Sequence, residues 1–184
     1  MAKSLSEAKT HVFPARTTPK CSFPTCPEDQ PRLSIEMVPQ TAWFKNVRSA
    51  VRPRDWDNIR RKVYQRASFC CQICGGQGSR HPVEAHEIWD YDDENHVQKL
   101  DRVIALCPAC HRVKHMGFSR SQGLEAEAEL HLARVNGWTL KQARTYIDQS
   151  FTQWTKRSQV NWTMDMEHLE DEYGIKPKEE FTDV

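Results

Sequence analysis

Two Cys-x2-Cys pairs constrain the fold of this 184-residue chain most strongly, the second beginning 33 positions after the last cysteine of the first. The pairs are Cys71/Cys74 and Cys107/Cys110. Each pair can direct two thiolates at one ion, and four cysteines form the closed tetrahedral site typical of structural Zn2+. We therefore predict a structural zinc ion, which contributes folding energy to a segment with too few apolar residues to form a core alone.

The N-terminal sequence agrees with metal-binding rather than disulfide-bonded cysteines. Residues 1–20 are polar and lack the apolar core of a signal peptide. No stretch approaches the roughly 18 consecutive apolar residues of a membrane helix. We expect a cytoplasmic protein without a membrane segment, in which the seven cysteines stay reduced. Cys21 and Cys26 form a lone pair for which free thiols are the favoured interpretation and a metal clip is the alternative.

Titratable side chains cluster between and just after the cysteine pairs. Short strands are predicted over 84–89 and 103–106, and a helix follows the second cysteine pair. His111 and His115 on this helix are spaced i, i+4, so both imidazoles lie on one helix face as a metal-binding pair. With His86 on the first strand they form a predicted three-imidazole set. Four other histidines are interpreted as ordinary structural residues: His81, His96, His131 and His168.

This order of strand, strand and histidine-bearing helix, bounded by two cysteine pairs, resembles the HNH endonuclease family. The resemblance covers roughly residues 56–115, about a third of the chain. It implies a small α+β fold in which residues 70–118 form a zinc-stapled ββα-metal module, with a preceding helix and a C-terminal helical extension. It also implies a metal-dependent enzyme that hydrolyses DNA phosphodiester bonds and leaves 5′-phosphate and 3′-hydroxyl ends.

The resemblance assigns roles to individual side chains. His86, His111 and His115 would hold one divalent ion, separate from the structural zinc, and the residue after His86 would be the general base. Imidazole ligands suit Mn2+, Ni2+ or Zn2+ better than Mg2+, which prefers oxygen. The base position holds Glu87, where the family usually has histidine, and a carboxylate is a weaker base unless burial raises its pKa. Glu84, two residues before His86, is an alternative ligand or base.

A second departure concerns the asparagine that orients the base in the family. The corresponding region holds Asp101 and Arg102, and the nearest asparagine is Asn95. Asp101 or Asn95 could substitute. These departures keep an alternative function open, a catalytically weakened scaffold that binds nucleic acid or protein, for example in phage or defence systems. A purely structural zinc protein within a partner complex is a further alternative.

Basic residues before the module predict a phosphate-binding surface. Residues 1–66 carry 13 Lys/Arg against 6 Asp/Glu, whereas the whole chain has a net charge of only +1. Such a local surplus favours DNA as a partner, although a solvated charged face is the alternative. The predicted DNA phosphate contacts lie on a helix over about 54–67 and beside the histidines: Arg60, Arg61, Arg66, Arg112 and Lys114.

Five segments are predicted along the chain. Residues 1–33 are basic and Pro-rich and predict a flexible segment, and residues 34–69 form a basic lead-in. The module over 70–118 is followed by a helical extension over 119–176 and an acidic tail over 177–184. The sequence predicts no oligomeric state.

The extension is predicted to contain three helices. Ser121 caps the first, which ends near Asn136, and Thr139 caps the second. The third runs from about Met164 to Tyr173. We expect these helices to supply core to the zinc module, with a helix-turn-helix or a surface for a protein partner as alternatives.

Overall fold

The computed structural model describes residues 30–181, and these form an α+β fold with seven α-helices and one three-stranded sheet. The predicted small α+β class is therefore confirmed. None of the helices within the described range combines the length and apolar character that a membrane crossing requires. The elements in chain order are α1 (Val47–Ala50), α2 (Pro53–Arg66), β1 (Glu84–Asp92), β2 (Val97–Leu106), α3 (Pro108–Lys114), α4 (Met116–Ser121), α5 (Glu125–Asn136), α6 (Leu140–Arg157), β3 (Thr163–Asp165) and α7 (Glu167–Tyr173).

Strands β1 and β2 form an antiparallel hairpin that is longer than the sequence predicts. His86 pairs with Ile104 and Glu87 with Val103, and a bulge follows between Ile88 and Trp89. Strand β3 adds to the other side of β2 in parallel, so the order is β1-β2-β3 and β1 is an edge strand. Glu84, His86 and Glu87 lie on β1 and therefore at the edge of the sheet.

The sheet separates two apolar cores, because successive side chains of a strand point to opposite faces. Val103 of β2 packs with Ile59 and its neighbours on α2 and with residues of α7. Ile104, one position later, packs on the other side with α3 and with Leu132 and Ile147 of α5 and α6. Helices α5 and α6 therefore supply core to the segment that carries the cysteine pairs.

Local sequence signals explain most helix ends. Helix α2 begins at Pro53, within one residue of the prediction, and the predicted cap Thr139 forms a capping box with Gln142 at the start of α6. The prediction that Ser121 caps the helix ending near Asn136 is wrong, because that helix, α5, begins only at Glu125. Helix α4 ends at Ser121, and Gly123 adopts a φ of +72° before α5 begins.

Both ends of the described range contact the rest of the fold. Leu33, at the end of the predicted flexible segment, is fully buried. Lys178 donates its backbone N–H to Ala50 O, so the start of the predicted acidic tail is tied to the region of α1. Cys21 and Cys26 lie outside the described residues.

Candidate functional site: two metal-ligand clusters and an aromatic cavity

Four cysteine sulfurs converge where the loop after α2 meets the start of α3. The Sγ atoms of Cys71, Cys74, Cys107 and Cys110 all lie within 4.8 Å of one another. Those of Cys74 and Cys107 are 3.6 Å apart. Two thiolates bound tetrahedrally at about 2.3 Å from one zinc ion would be roughly 3.8 Å apart. Gly75, with a φ of +71°, turns the chain after the first pair. The cluster is compatible with the predicted structural zinc.

The electrostatics of the cluster also favour a cation. Hydrogen bonds from Cys110, and then from Cys71 and Cys74, lower the pKa of Cys107. The reciprocal contact with Cys107 raises the pKa of Cys110. Without a cation, ionisation of one thiol disfavours ionisation of its neighbours. A divalent ion would allow all four to ionise.

A buried histidine lies against this cluster. His131 Nε2 is 3.1 Å from Cys110 Sγ, and His131 Nδ1 is 2.8 Å from Nη2 of Arg134. A guanidinium can only donate, so Arg134 favours the His131 tautomer that carries its proton on Nε2. That proton can then be donated to the Cys110 sulfur. The interpretation of His131 as an ordinary residue missed this contact, because nothing in its sequence spacing links it to the cysteines.

The three predicted imidazoles also come together. One nitrogen from each of His86, His111 and His115 lies within 4.8 Å of the others. His111 Nε2 and His115 Nε2 are 3.2 Å apart, close to the roughly 3.3 Å expected for two imidazoles sharing a tetrahedral ion at about 2.0–2.1 Å. Burial lowers the pKa of all three residues, that of His115 to about 3. They are therefore neutral near pH 7, the form that binds metals.

Two carboxylates hold two of these imidazoles. Glu84 accepts from Nδ1 of His111 and also contacts His81. Glu36 Oε2 lies 3.1 Å from His86 Nε2. A carboxylate on the second ring nitrogen is the usual partner of a metal-binding histidine, because it fixes the tautomer and the ring orientation. The contacts of Glu84 are those of an orienting partner for His111.

Glu36 is a residue of the site that the sequence analysis did not predict. Its Oε1 accepts the backbone N–H of Trp89 at 2.7 Å, and its Oε2 lies 3.1 Å from Lys114 Nζ. Burial acts to raise its pKa, but the hydrogen bond with His86 and the charge of Lys114 outweigh burial and hold the pKa at about 2. Its only sequence signal is a lone carboxylate between the apolar residues Ile35 and Met37.

Lys114 is buried, and the prediction that it contacts DNA phosphate is wrong. Its ammonium lies 2.9 Å from Ser34 Oγ and 3.1 Å from Glu36 Oε2, with a side-chain exposure of only 5%. The charge is thus neutralised inside the protein. Lys114 O also accepts the backbone N–H of Glu36 at 3.1 Å, so the end of α3 lies against the segment containing Glu36.

The four predicted arginine contacts lie at the surface. Arg60 pairs with Asp57 at 2.7 Å, Arg112 pairs with Glu127 at 2.8 Å, and Arg66 pairs with Glu172. Arg61 is exposed. Their phosphate contacts remain a prediction. Arg48, which the sequence did not single out, lines the cavity described below.

Glu87 points to the sheet face opposite His86. Its Oε1 accepts the backbone N–H of Val47 at 2.9 Å, and it hydrogen-bonds Arg48 N–H and the Trp89 side chain. Burial nevertheless raises its pKa to about 7.

The two residues considered as substitutes for the orienting asparagine have other partners. Asn95 donates to Asp92 in the hairpin turn, and Asp101 pairs with Arg102. Glu87 is instead oriented by the start of α1.

A cavity of about 820 Å3 opens beside the edge of β1. His86, His111, His115, Glu87 and Glu36 all border it. Residues from both faces of the sheet therefore border the cavity. The three imidazoles and the Glu87 carboxylate, whose pKa is raised, all face this one space. Much of its remaining wall is aromatic, with Trp43, Phe44, Trp56, Phe118, Phe151 and Trp154.

No protein-family model, curated protein or solved structure gives a significant match to this chain.

Proposed function

We propose that this chain is a metal-dependent endonuclease of the HNH type that hydrolyses phosphodiester bonds in DNA. The observation that carries the proposal is the convergence of His86, His111 and His115 in a cavity that Glu87 also lines. The strand, strand and helix order of the supporting elements, and the cysteine cluster at the start of the helix, are consistent with it.

The two clusters suit two different ions. The closed four-cysteine set fits a structural Zn2+. A divalent ion held by the three imidazoles would supply Lewis acidity to the scissile phosphate. Imidazole donors favour Mn2+, Ni2+ or Zn2+ over Mg2+. Glu36 and Glu84 act as positioning residues, since each holds one of the imidazoles.

Glu87 is the proposed general base. A carboxylate with a pKa of about 7 is a stronger base than an ordinary glutamate and is still partly ionised at neutral pH. It takes a proton from water as the water oxygen attacks phosphorus. The bond from phosphorus to the 3′-oxygen then breaks, and the 3′-oxygen takes a proton from solvent. The products carry a 5′-phosphate and a 3′-hydroxyl.

A second candidate is a catalytically weakened scaffold that binds nucleic acid or a protein. The contact that favours it is the 2.9 Å hydrogen bond from Val47 N–H to Glu87 Oε1, which commits one carboxylate oxygen to holding α1. On this alternative Glu87 has a structural role and the chain binds without cutting.

Nicking of supercoiled plasmid with Mg2+, Mn2+, Ni2+ or Zn2+ tests the proposal. Wild type is compared with His111→Ala and Glu87→Gln, with His168→Ala and Glu94→Gln as matched controls outside the cavity. We expect both cavity variants to lose activity, Glu87→Gln by roughly 100- to 10,000-fold, the usual contribution of a general base. The two control variants should cut as wild type does.

The outcomes separate the two candidates. Cleavage by wild type that survives in both cavity variants would exclude this site as the centre of the reaction. An absence of cleavage with every ion, together with salt-sensitive DNA binding, would favour the weakened scaffold. In that case Glu87→His should introduce activity if only the base is at fault.

A further inference from the structure

Three of the aromatic rings that border the cavity are exposed to an unusual degree. The exposed fractions are 56% for Trp43, 84% for Phe44 and 58% for Phe118. Trp43 and Phe44 follow a short 3-10 turn, whereas Phe118 lies on α4, so two separate elements present aromatic rings to one cavity. An apolar rim formed by these three exposed rings around one cavity is costly in water and is typical of a binding site.

The ligand of this rim must combine flat apolar faces with negative charge. Arg48 is exposed on the cavity wall. Near the same wall, the guanidinium of Arg120 lies 3.9 Å from the centroid of Phe151 and also pairs with Glu125. Aromatic platforms with neighbouring cations are how proteins bind single-stranded nucleic acid, because every base offers a π-face for stacking.

We propose that this cavity binds an unpaired DNA segment, with bases stacked on Trp43, Phe44 and Phe118. The inference rests on the proposed nuclease function only in naming DNA, rather than RNA, as the nucleic acid that binds. In an intact duplex both faces of each base are covered by its neighbours, so the rings could not reach them. Unpaired DNA places its bases on the rim and its phosphates toward Arg48 and the imidazoles.

Fluorescence anisotropy with a labelled oligonucleotide tests this inference independently of cleavage. The full chain with its zinc is used in a His111→Ala background without further added metal. A single strand is compared with its annealed duplex and with RNA of the same sequence. We expect the DNA single strand to bind most tightly.

Truncating the rim identifies the contact. Trp43→Ala and Phe44→Ala should each weaken single-strand binding roughly five- to 150-fold, as expected for the loss of one stacked base. Duplex binding should change little. Phe69→Ala is the matched control, since Phe69 is also exposed, at 46%, but does not line the cavity. The rim side chains are mostly in solvent, so their truncation should leave the melting temperature nearly unchanged.

Each of the other outcomes would overturn either a part of this inference or the nuclease proposal. Equal affinity for single strand and duplex, or rim variants that bind as the Phe69→Ala control does, would overturn the proposed cavity ligand. Tighter binding of RNA than of DNA would overturn DNA as its class. Rim-dependent single-strand binding by a wild type that never cuts would sustain this inference while the nuclease proposal fails. Plasmid cutting without rim dependence would do the reverse.

Discussion

Glu36 and His86 form a buried pair across 50 positions of sequence, with 3.1 Å between Glu36 Oε2 and His86 Nε2. The same carboxylate binds Lys114 and the backbone N–H of Trp89. One side chain therefore ties the segment before α1 to both the edge strand and α3. The position of His86 relative to the other two imidazoles depends on this connection.

Glu36→Ala should destabilise the fold strongly. It leaves the Lys114 charge buried without its partner, and breaking a buried ion pair in this way typically costs about 3–5 kcal/mol. Glu36→Gln should cost less, because its amide oxygen can still accept from Trp89 N–H. Urea unfolding followed by circular dichroism gives the free energies.

Glu127→Ala is the matched control for this experiment. Glu127 also pairs with a cation, Arg112, but its side chain is 65% exposed, against 10% for Glu36. Loss of an exposed pair should cost less than about 1 kcal/mol. Equal costs for the two alanine variants would contradict a structural role for the Glu36 pair.

His131→Ala should weaken zinc binding at the cysteine cluster. It removes the hydrogen bond to Cys110 Sγ, and losing such an outer partner of a metal ligand typically costs about 10- to 100-fold in affinity. Competition with a chromogenic chelator measures the affinity, and the sulfur-to-cobalt charge-transfer band of the Co2+ form reports on the ligand. Arg134→Ala should have a smaller effect in the same direction.

His168→Ala serves as the control, because this imidazole lies on α7, which does not contribute to the cluster. The role assigned to His131 is refuted if His131→Ala retains the zinc affinity and the cobalt spectrum of the control.

Gly78→Ala should destabilise the loop between the two cysteine pairs. A Cβ at this position would lie 2.3 Å from His81 O and 2.7 Å from the ring of Pro108, the first residue of α3. The backbone would have to move, and overpacking of this kind typically costs about 1–3 kcal/mol. Thermal unfolding of the zinc-loaded protein measures the change.

Gly117→Ala provides the contrast. Its Cβ would meet Met37 Sδ at an ordinary 3.5 Å within α4. Alanine is favoured over glycine in a helix by roughly 0.8–1 kcal/mol, so this variant should be neutral or slightly more stable. If both substitutions had the same effect, the tight approach at Gly78 would not be a structural constraint.

Features that depend on short spacings could be predicted from the sequence. The cysteine pairs and the i, i+4 histidines require only local geometry, and the cysteine and imidazole clusters contain the residues that were expected. The start of α2 at Pro53 and the cap at Thr139 are likewise local signals.

Contacts between distant segments could not be predicted. Glu36 reaches His86 from 50 positions away and His131 reaches Cys110 from 21, and neither carries a spacing rule. Strand β3 has only three residues, too few for a period to be recognised. The break between α4 and α5 depends on the left-handed conformation of Gly123, which a helical pattern of apolar residues does not reveal.

The two clusters predict two metal ions per chain that can be removed separately. Metal analysis after gel filtration should find one tightly held zinc, with a second ion when Mn2+, Ni2+ or Zn2+ is added. His115→Ala should lose only the added ion and remain folded, because the cysteines would hold the structural zinc at a separate cluster. Cys110→Ser should lose the structural zinc and much of its helix signal, since that ion would join the loop after α2 to α3. Cys70→Ser, next to the cluster but outside it, should keep both ions. If His115→Ala and Cys110→Ser lost the same ion, the two clusters could not be separate sites.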